Sequence, residues 1–241
     1  MKTLTAPLFS VQHAKDRAFV DHGWLQTYHS FSFADYHDPE NVNWGALRVF
    51  NDDTIAGGAG FPAHPHREME IVTYVLEGRL QHKDSAGHEG IVGAGGVQFM
   101  SAGTGVRHSE YNADPSAPLH LVQMWVIPGT FGGAPSYGQM DFAAADRTNT
   151  WLNVVSGVEG VQAPIRITQS ATMAVSRVDG ATIVYEFAPE RYGFLFVADG
   201  KVEINGESLT KGDAVRLYNV HRLAAKGHGE LVLWDVPQLE D

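Results

Sequence analysis

The stretch 61-FPAHPHREMEIVTYVLEGRL-80 decides how this chain is read. Its second half is rich in β-branched and aromatic residues and stops at Gly78, the pattern of a strand that closes on a turn. Successive side chains of a strand point to opposite faces. His64, His66, Glu68 and Glu70 are therefore expected on one face, running on into Val72, Tyr74 and Leu76. The other face reads Arg67, Met69, Ile71, Thr73 and Val75. A strand that is mostly apolar on both faces is covered on both sides, and ionisable groups entering such a core need partners or a metal. An H-x-H pair on a strand aims two imidazoles at one point, a geometry that suits a first-row metal. Pro62 and Pro65 put that pair at a strand edge or mouth, where a missing N–H does least harm.

A complement lies farther along, in 103-GTGVRHSEYN-112. The small residues at its start make a tight turn, and His108, Glu110 and Asn112 then fall on one face of the strand that follows. Alone, the cluster also reads as a polar turn with a capping histidine. With His64 and His66 it offers three imidazoles and a carboxylate. Of the 12 histidines, His13, His22, His29, His37, His88 and His228 sit in polar or turn-rich sequence and read as surface or locally bonded residues. His82 and His120 lie on expected strands without a second potential ligand two residues away, and read as structural.

Around these clusters, 26 glycines and 11 prolines punctuate short runs of Val, Ile, Phe, Leu and Tyr, which predicts many short strands and scarce helix. The rhythm repeats. YVLEGRLQHKD followed by GAGGVQFMS is echoed by FLFVADGKVEING followed by LTKGDAVRLYN, each with a strand, a turn at Gly78 or Gly200, a second strand, another glycine turn and a third strand. That is the rhythm of a repeated small antiparallel barrel. The glycine-rich segment 129-GTFGGAPSYGQMDFAAADRTNT-150 reads as a crossover between the two units. The expected division is 1–130, a linker over 131–150, and 151–241.

The 241 residues carry 17 basic and 28 acidic side chains, a net charge of −11, which argues against a nucleic-acid groove. There is no cysteine, so disulfides, thiolate nucleophiles and Cys-based metal sites are excluded. No apolar run suits a secretory signal or a membrane span, and a soluble cytoplasmic protein is the expectation.

The pattern Gly58-x5-His64-x-His66-x3-Glu70, the turn at Gly78 and Gly105-x2-His108-x3-Asn112 resemble the two cupin motifs. More closely, HPHREMEIVTYVLEG, MSAGTGVRHSEYN and 23-GWLQTYHSFSFADY-36 resemble the pirin family, in particular its bacterial members described as quercetin 2,3-dioxygenases. The likeness is strong over about residues 18–128 and looser beyond. It implies an all-β bicupin, two antiparallel jelly-roll-like barrels packed together. It also implies a divalent ion, most often Fe(II) with other first-row metals as alternatives, on His64, His66, His108 and Glu110.

General cupins take their carboxylate from the position of Glu70, whereas the H-S-E triplet at 108–110 is the pirin form. Glu110 is thus the expected ligand and Glu70 a neighbour or substitute. In the second half the positions of His64, His66 and Glu70 become Glu186, Ala188 and Tyr192, and His221 stands alone, so that barrel is expected to lack a metal. Three neutral imidazoles, a carboxylate and a divalent ion leave a charge of about +1, favourable to an anionic oxygen donor. The expected activity is cleavage of a flavonol such as quercetin by O2 with release of carbon monoxide, with Glu110 as the base that takes the 3-hydroxyl proton. The alternative is a metal-binding regulatory protein that recognises a protein partner without turnover.

Overall fold

The computed structural model describes residues 6–239. Residues 1–5 and 240–241, the outermost residues of the expected division and of the N-terminus expected to carry no signal, lie outside it. Apart from two single-turn 3-10 segments, Ala14–Asp16 and Ala144–Arg147, the regular structure of the described residues is β-strand. The chain is an all-β bicupin. Among the described residues no helix is long and apolar enough to cross a membrane.

The opening stretch is two strands rather than one. Gly60–His66 ends at the second histidine, and Glu70–Glu77 begins after a turn in which Glu68 adopts φ 49°. The Glu68 N–H donates to the Gly103 carbonyl, and its carboxylate accepts the Gly132 N–H. The break sends the two strands into different sheets. Gly60–His66 joins Val106–Asn112, Arg79–Asp84 and Glu89–Gly93 in a four-stranded sheet. Glu70–Glu77 sits in the middle of a seven-stranded sheet, between Val97–Ser101 and Leu119–Val126, with Leu47–Ile55, Leu25–His29 and Ala18–Asp21 beyond. His64 and Glu70 therefore do not share a face.

The two faces of the seven-stranded sheet have different jobs. Val72, Tyr74, Val97, Phe99, Val122, Met124 and Phe50 pack against Val154, Met173, Val175, Phe194, Phe196, Val232 and Trp234 of the second half. This sheet-on-sheet layer is one continuous core. Each large side chain it buries contributes roughly 1.5–3 kcal/mol. The indole N–H of the fully buried Trp234 points at Met124 Sδ, 3.0 Å away. The opposite face, carrying Ile71, Thr73 and Val75, turns into the first barrel, which the four-stranded sheet closes.

Two segments cross between the halves. Leu8–Gln12 pairs with Ala214–Tyr218 in the nine-stranded sheet of the second half. The expected linker contains a strand, Ser136–Met140, that pairs with Val97–Ser101 at the edge of the seven-stranded sheet. Its glycines and small residues hid that strand, which depends on a partner rather than on its own propensity. The echo around Gly200 also takes a different form: Tyr192–Ile204 is one long strand with a bulge between Val197 and Asp199, whereas Gly78 separates two strands.

Candidate metal centre

The site is built by register. His108 is paired across the strands with His64 on one side and Asp84 on the other, and Glu110 is paired with Phe61 and His82. A bulge lies between His108 and Glu110 against the His64 strand. The strand Val106–Asn112 alternates as expected, with His108, Glu110 and Asn112 buried inward. Asn112 serves the fold: its amide donates to the carbonyls of Ile55, Ala56 and Ala117.

His64, His66 and His108 converge. Their donor nitrogens lie within 4.8 Å of one another, and the Nε2 atoms of His64 and His108 are 3.1 Å apart. Two imidazoles bound at about 2.1 Å and right angles to one ion sit about 3.0 Å apart, so the spacing fits a shared metal. Burial, reinforced by the neighbouring imidazoles, lowers His66 to about 4 and His108 to about 3. Both rings are neutral at pH 7, with a lone pair free for a cation. His64 Nδ1 lies 2.8 Å from the Pro62 carbonyl, which holds the Nδ1–H tautomer and leaves Nε2 free.

Glu110 stands beside this group, in a second one formed with His82 and His108. Its two carboxylate oxygens accept hydrogen bonds from the side-chain amides of Gln98 (2.6 Å) and Gln123 (2.7 Å). These glutamines belong to a polar row across the inner face of the seven-stranded sheet, His29–Asn51–Gln123–Thr73–Gln98, each paired with the next. Apolar layers flank the row. Leu25, Ile55, Val75, Leu80, Val92, Leu119 and Leu121 lie on one side, and Ile71, Met100, Ala102 and Val106 on the other.

Glu70 is elsewhere. Its carboxylate accepts the Thr168 N–H (2.6 Å) and hydroxyl (3.0 Å) and the Gln169 N–H (3.3 Å), which ties the first half to the second. His82, expected to be structural, is fully buried, with Nδ1 3.4 Å from His108 Nδ1 and Nε2 3.3 Å from Asp84. Tyr137, from the segment read as a linker, stacks on the His82 ring at 4.3 Å. His29, expected at the surface, is 4% exposed and bonded to Asn51 at 2.8 Å. The motif 23-GWLQTYHSFSFADY-36 was the available signal for His29, since its strand Leu25–His29 buries the alternate residues Leu25, Thr27 and His29.

A cavity of about 310 Å³ opens beside the histidines. Small-molecule sites occupy roughly 300–1,000 Å³. Its walls include two edge-to-face aromatic pairs, Trp24 with Phe61 and Phe33 with Trp125. The Trp125 ring also meets the His66 ring edge-to-face at 4.9 Å. Glu110, Gln123, His29, Asn51, Asp53, Thr27 and His22 supply the rest of the polar lining.

Comparison with known proteins places this arrangement. The family model Pirin matches residues 11–126, and a second, the quercetinase C-terminal cupin domain, matches residues 153–236. A pirin-like protein of Caulobacter vibrioides is 45% identical over 220 residues, 90% of this chain and 94% of its own. The chain belongs to the pirin family. A quercetin 2,3-dioxygenase of Escherichia coli K12 is 38% identical to this pirin over 230 residues, 94% of the chain and 98% of its own. The crystal structure of the bacterial pirin YhhW from Escherichia coli in complex with nickel(II) superposes with a TM-score of 0.87 at 37% identity, covering 96% of this pirin and all of that chain.

Proposed function

We propose that this pirin is a metal-dependent dioxygenase that cleaves a flavonol such as quercetin at its 2,3 bond, using O2 and releasing carbon monoxide. His64, His66, His108 and Glu110 hold a divalent ion, Fe(II) first among the first-row candidates. The metal-binding unit lies within residues 1–130, with 131–150 as the crossover and 151–241 as a metal-free barrel. The observation that carries the reading is the convergence of three imidazoles beside an aromatic-walled cavity. The names of the relatives support the substrate class.

When bound, the ion supplies Lewis-acid polarisation of a hydroxyl oxygen and a redox partner for O2. The residues do the rest. His64, His66 and His108 provide nitrogen donors, the last two from rings that burial keeps neutral. Glu110 takes the proton of the substrate's 3-hydroxyl, and the amides of Gln98 and Gln123 hold its carboxylate in place for that transfer. The faces of Trp24, Phe33, Phe61 and Trp125 receive a flat aromatic ligand and exclude water.

The test is metal analysis of the purified protein combined with an assay of quercetin loss and oxygen uptake, each metal replaced in turn. Turnover that follows one metal supports the proposal. Stoichiometric metal without turnover of any flavonol overturns it in favour of a regulatory protein.

A further inference from the structure

Within the same cavity, Asp53 has no role in the chemistry above. It lies on Leu47–Ile55, paired with Thr27 and Leu121, one step along from the polar row at Asn51. It is 3% exposed and lines the cavity with His64 and His66. Its Oδ1 has no hydrogen-bond partner within bonding geometry among the described residues, and the hydroxyl of cross-strand Thr27 is the one side-chain donor that favours its carboxylate form from close by. The nearby Arg17 and His120 side chains are engaged by its neighbour Asp52, at 3.0 Å and 2.7 Å, and Asp52, by strand alternation, points to the other face.

An acid buried without a full set of partners works against folding, and completion by a ligand in the cavity it lines would offset that cost. A carboxyl group turns readily about its last torsion, so either oxygen can meet a ligand. The aromatic walls suit a flat ring: Trp24, Phe33, Phe61 and Trp125 offer no hydrogen-bonding capacity beyond the indole N–H groups, and of the other polar lining groups Glu110 and Gln123 are bonded to each other and His29 to Asn51. Trp125 already donates its indole N–H to Gln123.

We propose that Asp53 is a second substrate-binding group, hydrogen-bonding a hydroxyl on the part of an aromatic ligand remote from the oxygen held at the histidines, so that the cavity selects polyhydroxylated aromatics. This rests on the reading of the cavity as the substrate site. It extends that reading from a metal-binding hydroxyl to a second point of recognition.

The test measures binding of quercetin and of 3-hydroxyflavone, which carries the 3-hydroxyl alone, to the metal-loaded protein without oxygen, by quenching of tryptophan fluorescence. Quercetin is expected to bind about tenfold or more tighter. Asp53→Ala removes that preference and leaves 3-hydroxyflavone unchanged, Asp53→Asn restores most of it, and neither variant lowers Tm. Equal affinity of the two ligands for the unaltered protein overturns the assignment whether or not the variants fold. Equal weakening of both ligands in Asp53→Ala overturns it as well. Selective binding without oxygen consumption on aeration retires the dioxygenase reading and keeps Asp53. Quercetin turnover without selectivity keeps the reading and retires Asp53, and binding of neither ligand retires both.

Discussion

The Nδ1 atoms of His82 and His108 face each other at 3.4 Å, while His108 Nε2 looks the other way, toward His64. Behind His82, Asp84 accepts from both the His82 and His88 rings, and its other oxygen accepts the backbone N–H groups of Ala86 and His88. A carboxylate anchored this firmly takes the Nε2–H of His82, whose Nδ1 is then free to accept from His108. The chain of bonds fixes the tautomer in which His108 offers Nε2 to a metal. His82→Phe keeps a ring to stack on Tyr137 but removes the acceptor. Metal affinity is expected to fall by about 10–100-fold in a competition titration with a chelator. An unchanged affinity would show that His108 needs no such support.

Glu110→Gln separates proton transfer from metal retention. The amide preserves size but loses the base, and it sets a donor against the donors of Gln98 and Gln123, which must rotate to compensate. Turnover is expected to drop by about 100-fold or more, with metal content reduced far less. Metal content and rate falling in strict proportion would remove the base from the mechanism.

Glu70 marks the contrast between the two glutamates. Burial raises its pKa although three donors from Thr168 and Gln169 oppose the shift. Glu70→Gln leaves at least one of those donors without its acceptor and is expected to cost about 1–3 kcal/mol in denaturant unfolding. Metal content should stay at the unaltered level. Loss of metal in that variant would bring Glu70 back as a ligand.

The histidines predict a pH response of the chelator-treated protein. His66 and His108 are lowered in the folded state to about 4 and about 3, against about 6.5 in the unfolded chain. Between those values the unfolded state binds more protons, so stability rises with pH. Their contribution is fully present above about 6.5 and is lost as pH falls toward 4 and 3. Thermal unfolding of the metal-free protein from pH 8 to pH 4 should show Tm declining below pH 6.5, and the decline should shrink in His66→Gln. A flat profile in the unaltered protein would contradict the lowered values.

What was legible in the sequence was local. His64 and His66 sit two apart on one strand, and His108 and Glu110 two apart on another, so alternation alone put each pair on one face. The spacing of glycines between apolar runs announced a twice-repeated β architecture for the same reason, since turns and strand alternation are set by near neighbours. The family likeness then named the arrangement those pairs make.

Other features depend on partners far away in the chain, and only the tertiary structure decided them. The break at Glu68 is fixed by Gly103 and Gly132, and it alone moves Glu70 out of the histidine face. Which glutamate faces the site follows from the sheet that each strand joins. His82, His29, Tyr137 and Asp53 enter the site through cross-strand register and through a strand hidden in a glycine-rich segment. A strand's own residues set which side chains share a face, but the strand beside it determines what that face meets.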